Sequence, residues 1–128
     1  MSLTNAFETS TLQYLLTTGS VTRPTAWYVG LFTSDPTDTG AAGTEVSGNG
    51  YTRKAATFTV SGDTASNSAS IEFPAASGGN WGTSGWIGIM DASSGGNMII
   101  HSALDTAKAI NDGDVFRIPT GDLDITAS

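Results

Sequence analysis

The sequence contains no cysteine, which excludes a disulfide, a thiolate metal site and a thiol nucleophile. Basic residues are scarce. Five Lys and Arg stand against twelve Asp and Glu, for a formal net charge of −7 at pH 7 and a pI of about 4.2. A domain of that sign repels phosphate, so neither nucleic acid nor an anionic membrane is an expected partner. No apolar run approaches the ~18 residues of a membrane span. No basic residue precedes an apolar stretch in Met1–Phe7, so a cleaved leader is not expected either. Histidine occurs once, at His101, and without a second histidine or any cysteine a zinc site has too few ligands.

What the chain does have is small and polar: 16 Gly, 15 Ser and 19 Thr. Such a composition predicts many turns and short strands. At 128 residues the chain is the size of one ordinary domain, taken here as 1–128. The hydrophobic share of 38% is below the usual ~45–50%. A core this lean favours additional burial in an assembly.

One segment reads as a helix, about Asn5–Thr17. Asn5 is a suitable N-cap with Glu8 three residues on, as in a capping box. Leu3, Phe7, Tyr14 and Leu15 fall near one face, and Gly19 is a natural stop. The β-branched Thr9, Thr11 and Thr17 weaken it, so tertiary contact is needed to hold it.

Beyond Pro24 the period becomes two. In Ala26–Ser34, Trp27, Val29 and Leu31 alternate with Tyr28, Gly30 and Phe32. Large side chains on both faces mean a strand covered on both sides. The helix and a neighbouring subunit are the two candidate covers for the Tyr28 and Phe32 face. The stretch from Asp35 to Gly50 is a long loop, and loops of that length are usually functional or disordered. Further strands are expected at Tyr51–Val60, Ala65–Phe73, Trp86–Met90, Met98–Leu104, Thr106–Ile110, Val115–Ile118 and Leu123–Thr126. Between them lie the turns Ser61-Gly62-Asp63, Asp91–Asn97, Asn111–Asp114 and Pro119–Asp122. About eight short strands with regular turn signals predict an all-β, antiparallel β-sandwich, jelly-roll-like, with one N-terminal helix.

No active site assembles from these residues. There is no nucleophile-elbow motif around a serine, no phosphate-cradling glycine loop with its lysine, and no carboxylate pair at a glycosidase spacing. Asp112, Asp114, Asp122 and Asp124, like Asp35 and Asp38, sit where Asp and Asn form turns, without the spacing of a calcium loop. No cofactor is expected. The candidate partner-binding residues are Phe7 and Tyr14 on the helix, Tyr28 and Phe32 on the first strand, and the basic pair Arg53 and Lys54. Trp81 or Tyr51, placed in a loop, offers a stacking platform for a sugar if the domain binds carbohydrate.

Nearly the whole chain resembles a family of small tailed-bacteriophage virion proteins commonly labelled phage tail fibre protein. The resemblance is carried in order by Ser2–Glu8 (SLTNAFE), Trp27–Asp38 (WYVGLFTSDPTD), Gly43–Arg53 (GTEVSGNGYTR), Trp81-Gly82-Thr83, Gly95–Met98 and Ile118–Thr126 (IPTGDLDIT). It implies a structural component of the virion and transfers no catalytic residue. A fibre shaft needs a long repeat or a coiled-coil stem, and neither is present. The expectation is therefore a non-enzymatic module on the particle exterior. Foremost is a capsid decoration or cement protein that binds the major capsid protein lattice. The alternative is a small tail-fibre or tail-attached module, bound to tail proteins and contributing to host-surface glycan binding. In either case copies of the chain are expected to associate as a homo-oligomer.

Overall fold

The computed structural model describes residues 2–127. In chain order it comprises β1 (Ser2–Leu3), α1 (Asn5–Leu16), β2 (Tyr28–Phe32), β3 (Lys54–Ala55), β4 (Phe58–Ser61) and β5 (Thr64–Asn67). These are followed by β6 (Ile71–Glu72), β7 (Gly82–Met90), β8 (Met98–Ile110), β9 (Arg117–Ile118) and β10 (Asp124–Thr126). The fold is all-β with a single N-terminal helix.

Every strand pairing is antiparallel. The main sheet has the order β1-β8-β7-β2-β3, opposed by a three-stranded sheet β10-β5-β4 and a two-stranded sheet β6-β9. The strands thus group as five, three and two, where the sequence predicts about eight strands. The reason lies in two strand boundaries. The clean alternation of Ala65–Phe73 breaks after Asn67, which divides the expected single strand into β5 and β6. Conversely Met98–Ile110 is one strand, not two. It bulges between the pairs Trp86↔Ala103 and Ser84↔Lys108, where four β8 residues lie opposite Gly85 alone. A bulge absorbs extra residues without ending the ladder.

Asn67 makes the first break stable. Its side chain is 1% exposed. The Nδ2 group donates to the carbonyls of Ala69 (2.9 Å) and Pro119 (3.0 Å), and Oδ1 accepts from the Leu123 N–H (2.9 Å). One buried amide thus ties the strand end to the Pro119–Leu123 turn, with three of its hydrogen-bonding positions filled.

The core lies between the main sheet and the two smaller ones. Val29, Leu31 and Ile87 point into it from β2 and β7, and Ile71, Phe73, Ile118 and Leu123 meet them from the other layer. Tyr51, Phe73 and Trp81 pack ring against ring within it, Tyr51 edge-on to Trp81 at 5.2 Å between centroids. Trp81 is 6% exposed, and its indole N–H donates to the Asn49 carbonyl at 2.9 Å. The Trp81 ring therefore offers no open stacking face to a sugar, and the half-buried Tyr51 ring is stacked against Phe73.

The second face of β2 is not covered by helix α1. Phe32, Met90 and Met98 form a small second cluster flanked by Tyr28 and Trp86. The chain's own 35–50 loop extends the sheet at the β2 edge and meets the cluster at Met98. Thr33 N–H donates to the Thr44 carbonyl and Val46 N–H to the Leu31 carbonyl, both at 2.9 Å, so the loop runs as a partial extra strand beside β2. Gly40, in the left-handed region at φ 68°, packs so closely that a Cβ there would lie 3.0 Å from Met98 Cβ. The loop is ordered, and its work is to close the sheet.

Helix α1 stands apart from this packing: none of its residues is buried. Its N-cap is Thr4 rather than Asn5, and no side chain caps it. The Thr4 hydroxyl instead donates to the Met98 carbonyl at 2.7 Å, because Thr4 is held at the edge of β8 at 2% exposure. Thr9, Ser10 and Thr11 donate back to the carbonyls of Asn5, Ala6 and Phe7. These hydroxyls are spent within the helix and form no anchor to the body.

Candidate interaction surface

The six residues singled out from sequence separate into three settings. Phe32 is 5% exposed, inside the second cluster. It is interior within a single chain, packed among Met90, Met98, Tyr28 and Trp86. Phe7 and Tyr14 lie on α1 and line a cavity of about 360 Å³ together with Leu15, Val21 and Pro24 from the strap that follows the helix. Tyr28, Arg53 and Lys54 come together along a shallow groove beside β3, with Glu72 and Val115 on its far wall.

Arg53 is not the free cation that its place on an acidic molecule suggests. Its side chain is 8% exposed. Nε donates to Glu45 Oε2 and Nη2 to Glu45 Oε1, each at 2.8 Å, in a bidentate pair. Nη1 donates to the carbonyls of Ala92 and Gly95, both at 2.8 Å. The Tyr51 hydroxyl donates to Glu45 Oε2 at 2.6 Å and accepts from the Leu31 N–H at 3.0 Å. Three segments are pinned at this point: the 35–50 loop, the chain entering β3, and the β7–β8 hairpin turn. Charge-assisted, fork-to-fork geometry makes this a strong and directional clamp. The carboxylate raises the affinity of the guanidinium for its proton. Burial, and then the hydrogen bond to Glu45, push the Tyr51 hydroxyl above the usual phenol range. Lys54, next along the chain, is exposed.

Several other polar groups also hold the chain's own segments. His101 Nε2 lies 2.9 Å from Asp38 Oδ1, while the Asp38 backbone carbonyl accepts the Asn5 N–H. Asp114 accepts the Asn111 N–H within its turn, and Asp91 accepts from the Asn97 N–H across the β7–β8 hairpin. Among the described residues no three His, Cys, Asp or Glu side chains converge on a common point. The turn acids Asp35, Asp91 and Asp114 accept from backbone amides.

The exposed apolar surface is concentrated elsewhere. Leu12, Tyr14, Leu15 and Leu16 on α1 are 58–76% exposed, and Val60 on β4 is 74% exposed. Val60 was not among the residues singled out from sequence. Its parity with Phe58 was the available signal, since both must point to one face of β4. Phe58 is packed against the core, whereas Val60 is left open. It borders a groove of about 740 Å³ that also takes in Leu3, Leu15, Ile100 and Ile125.

Comparison with known proteins agrees with the phage resemblance. No curated protein matches the chain. The family described as podophage GP4 fiber I protein gp80 matches over residues 2–126, which includes the helix, every strand and the clamp. The chain belongs to this podophage fibre family and is a structural component of the virion.

Proposed function

We propose that the chain is a fibre-type structural module carried by the phage tail, and that it works by binding and not by catalysis. The observation that carries this reading is the division of labour among its side chains. The groups capable of chemistry, Arg53, Glu45, Tyr51, His101 and Asp38, are committed to holding loops in place. The apolar side chains Leu12, Tyr14, Leu15 and Leu16 of α1 are left largely exposed. A displayed apolar surface of this kind marks a protein interface.

The family match favours the tail over the capsid-decoration role. Its partners on this reading are tail proteins and other copies of the chain. Labelled density in intact particles tests the location. Density confined to the tail, together with loss of adsorption in phage lacking the chain, is the expected outcome. Density spread over the capsid faces, with shell fragility on deletion, would return the decoration role. Turnover of a substrate by the purified chain would end the non-catalytic reading.

A further inference from the structure

The groove beside α1 is the unfilled end of the sandwich. Val60, Ala65 and Ile125 form one cross-strand row over β4, β5 and β10. They continue the inner face that carries Phe58 and Asn67 toward the core. On the main sheet, Leu3 pairs with Ile100, which pairs with Ile89, opposite the core residue Val29. Both inner faces therefore extend beyond the core into the groove, and α1 contributes Glu8, Thr11 and Leu15 to its side wall. Strand parity makes these positions interior while leaving them wet.

We infer that a second copy of this chain fills the groove with the C-terminal half of its own α1, Leu12–Leu16, and that the exchange is reciprocal. Size supports it. Five helical residues rise about 7.5 Å within a cylinder about 10 Å across, or roughly 600 Å³, against a groove of about 740 Å³. Area supports it too. From their exposures, the four helix side chains and Val60 leave roughly 450–550 Å² of apolar surface in water. Interfaces are roughly three-fifths apolar, so covering this patch amounts to roughly 800 Å² per partner, the size of a stable interface. Charge permits it. The groove is bordered by Glu8 and Asp63 with no basic residue, and Leu12–Leu16 carries no charge. Two chains of net charge −7 would meet here through uncharged helix residues, with Glu8 and Asp63 at the rim. A reciprocal contact covers the convex apolar surface and the concave one together, as a self-complementary interface does.

This inference rests on the fibre reading only for its setting, and its test is separate. The natural chain lacks cysteine, so Leu16→Cys and Val60→Cys can be made singly and the two proteins mixed under mild oxidation. A disulfide between the two variants can form only between copies. The expected result is efficient Leu16–Val60 cross-linking, with a light-scattering mass for the unmodified chain at a multiple of 13.1 kDa. Leu16→Glu should reduce that mass to 13.1 kDa while leaving the circular dichroism spectrum unchanged, since Leu16 is 76% exposed within one chain, and should lower the melting temperature only by the contribution of the lost contact. A 13.1 kDa particle at tens of micromolar, or a multimer that forms no mixed disulfide, would overturn the exchange. A monomer still found on phage tails would refute the exchange alone. A multimer absent from particles would refute the fibre reading alone.

Discussion

Gly30 and Gly88 face each other across β2 and β7, and the Phe32 ring and Met98 thioether lie over the bare backbone between them. The two glycines are register partners. A Cβ on Gly88 would stand 3.0 Å from Phe32 Cε1 and 2.5 Å from Met98 Cε, and one on Gly30 would stand 3.3 Å from Phe32 Cε1. In a strand interior glycine marks close approach of another group. Here the groups are the chain's own side chains, which close the second face of β2.

Phe32→Ala should therefore act as a core truncation. A loss of about 3–5 kcal/mol in chemical denaturation is expected, the usual range for a buried phenylalanine. Unchanged stability accompanied by loss of self-association would return Phe32 to the surface.

Gly88 in β7 and Gly43 in the loop should differ by what a new methyl meets. At Gly88 the nearest atom is the end of a flexible methionine, which can move, so Gly88→Ala should destabilise by about 1 kcal/mol. At Gly43 a Cβ would meet backbone, Ser34 O at 2.7 Å and Pro36 Cα at 2.9 Å. Backbone cannot swing aside, so Gly43→Ala should lose more, about 2–3 kcal/mol. Equal melting temperatures for the two variants would contradict this ordering.

Removing one partner of the Arg53–Glu45 clamp should cost more than removing both. Arg53→Met alone leaves a half-buried carboxylate with only Tyr51 as a partner, for an expected loss of about 2–4 kcal/mol. Arg53→Met combined with Glu45→Leu should recover part of it. Hydrogen exchange at the Ala92–Gly95 turn should accelerate in both, because its carbonyls lose their common donor. A double-mutant cycle with zero coupling would remove the clamp from the stability account.

Tyr51 should set an alkaline limit. Its hydroxyl is harder to ionise folded than unfolded, because of burial and then the hydrogen bond to Glu45. A proton held more tightly by the native state stabilises it fully below the ordinary phenol pKa of 10.0, and that stabilisation is lost as pH rises above it. Unfolding monitored by circular dichroism should therefore set in above about pH 10, and Tyr51→Phe should weaken this dependence. An unaltered alkaline transition in Tyr51→Phe would assign it to another group.

Asn67→Ala should release the Pro119–Leu123 turn. Three hydrogen bonds converge on one buried side chain, and leaving their partners unpaired should lose about 2–3 kcal/mol. The Leu123 amide, which donates to Asn67 Oδ1, should exchange much faster. Retained protection at that amide would show that the backbone alone holds the turn.

The local code of the chain was legible wherever one residue type decides a conformation. Gly62 at φ 61° begins the two-residue turn between β4 and β5, as Ser61-Gly62-Asp63 predicts. Gly95 and Gly96, at φ 60° and 69°, turn the β7–β8 hairpin. The parity of β2 placed Val29 and Leu31 on one face and Tyr28 and Phe32 on the other, as found. The helix ends within one residue of its expected C-terminus.

Composition and periodicity by themselves determined that this chain is an antiparallel β domain with one weak helix, because turn chemistry and side-chain alternation act over only a few residues. Only the tertiary structure decided what covers each face. Loop residues carry no period, so nothing in Asp35–Gly50 announces that it lies along β2. A buried Arg53–Glu45 pair looks in sequence like two solvated charges. Whether an apolar strand position meets a neighbour or water, as Phe58 and Val60 differ, depends on residues far along the chain that only folding brings near.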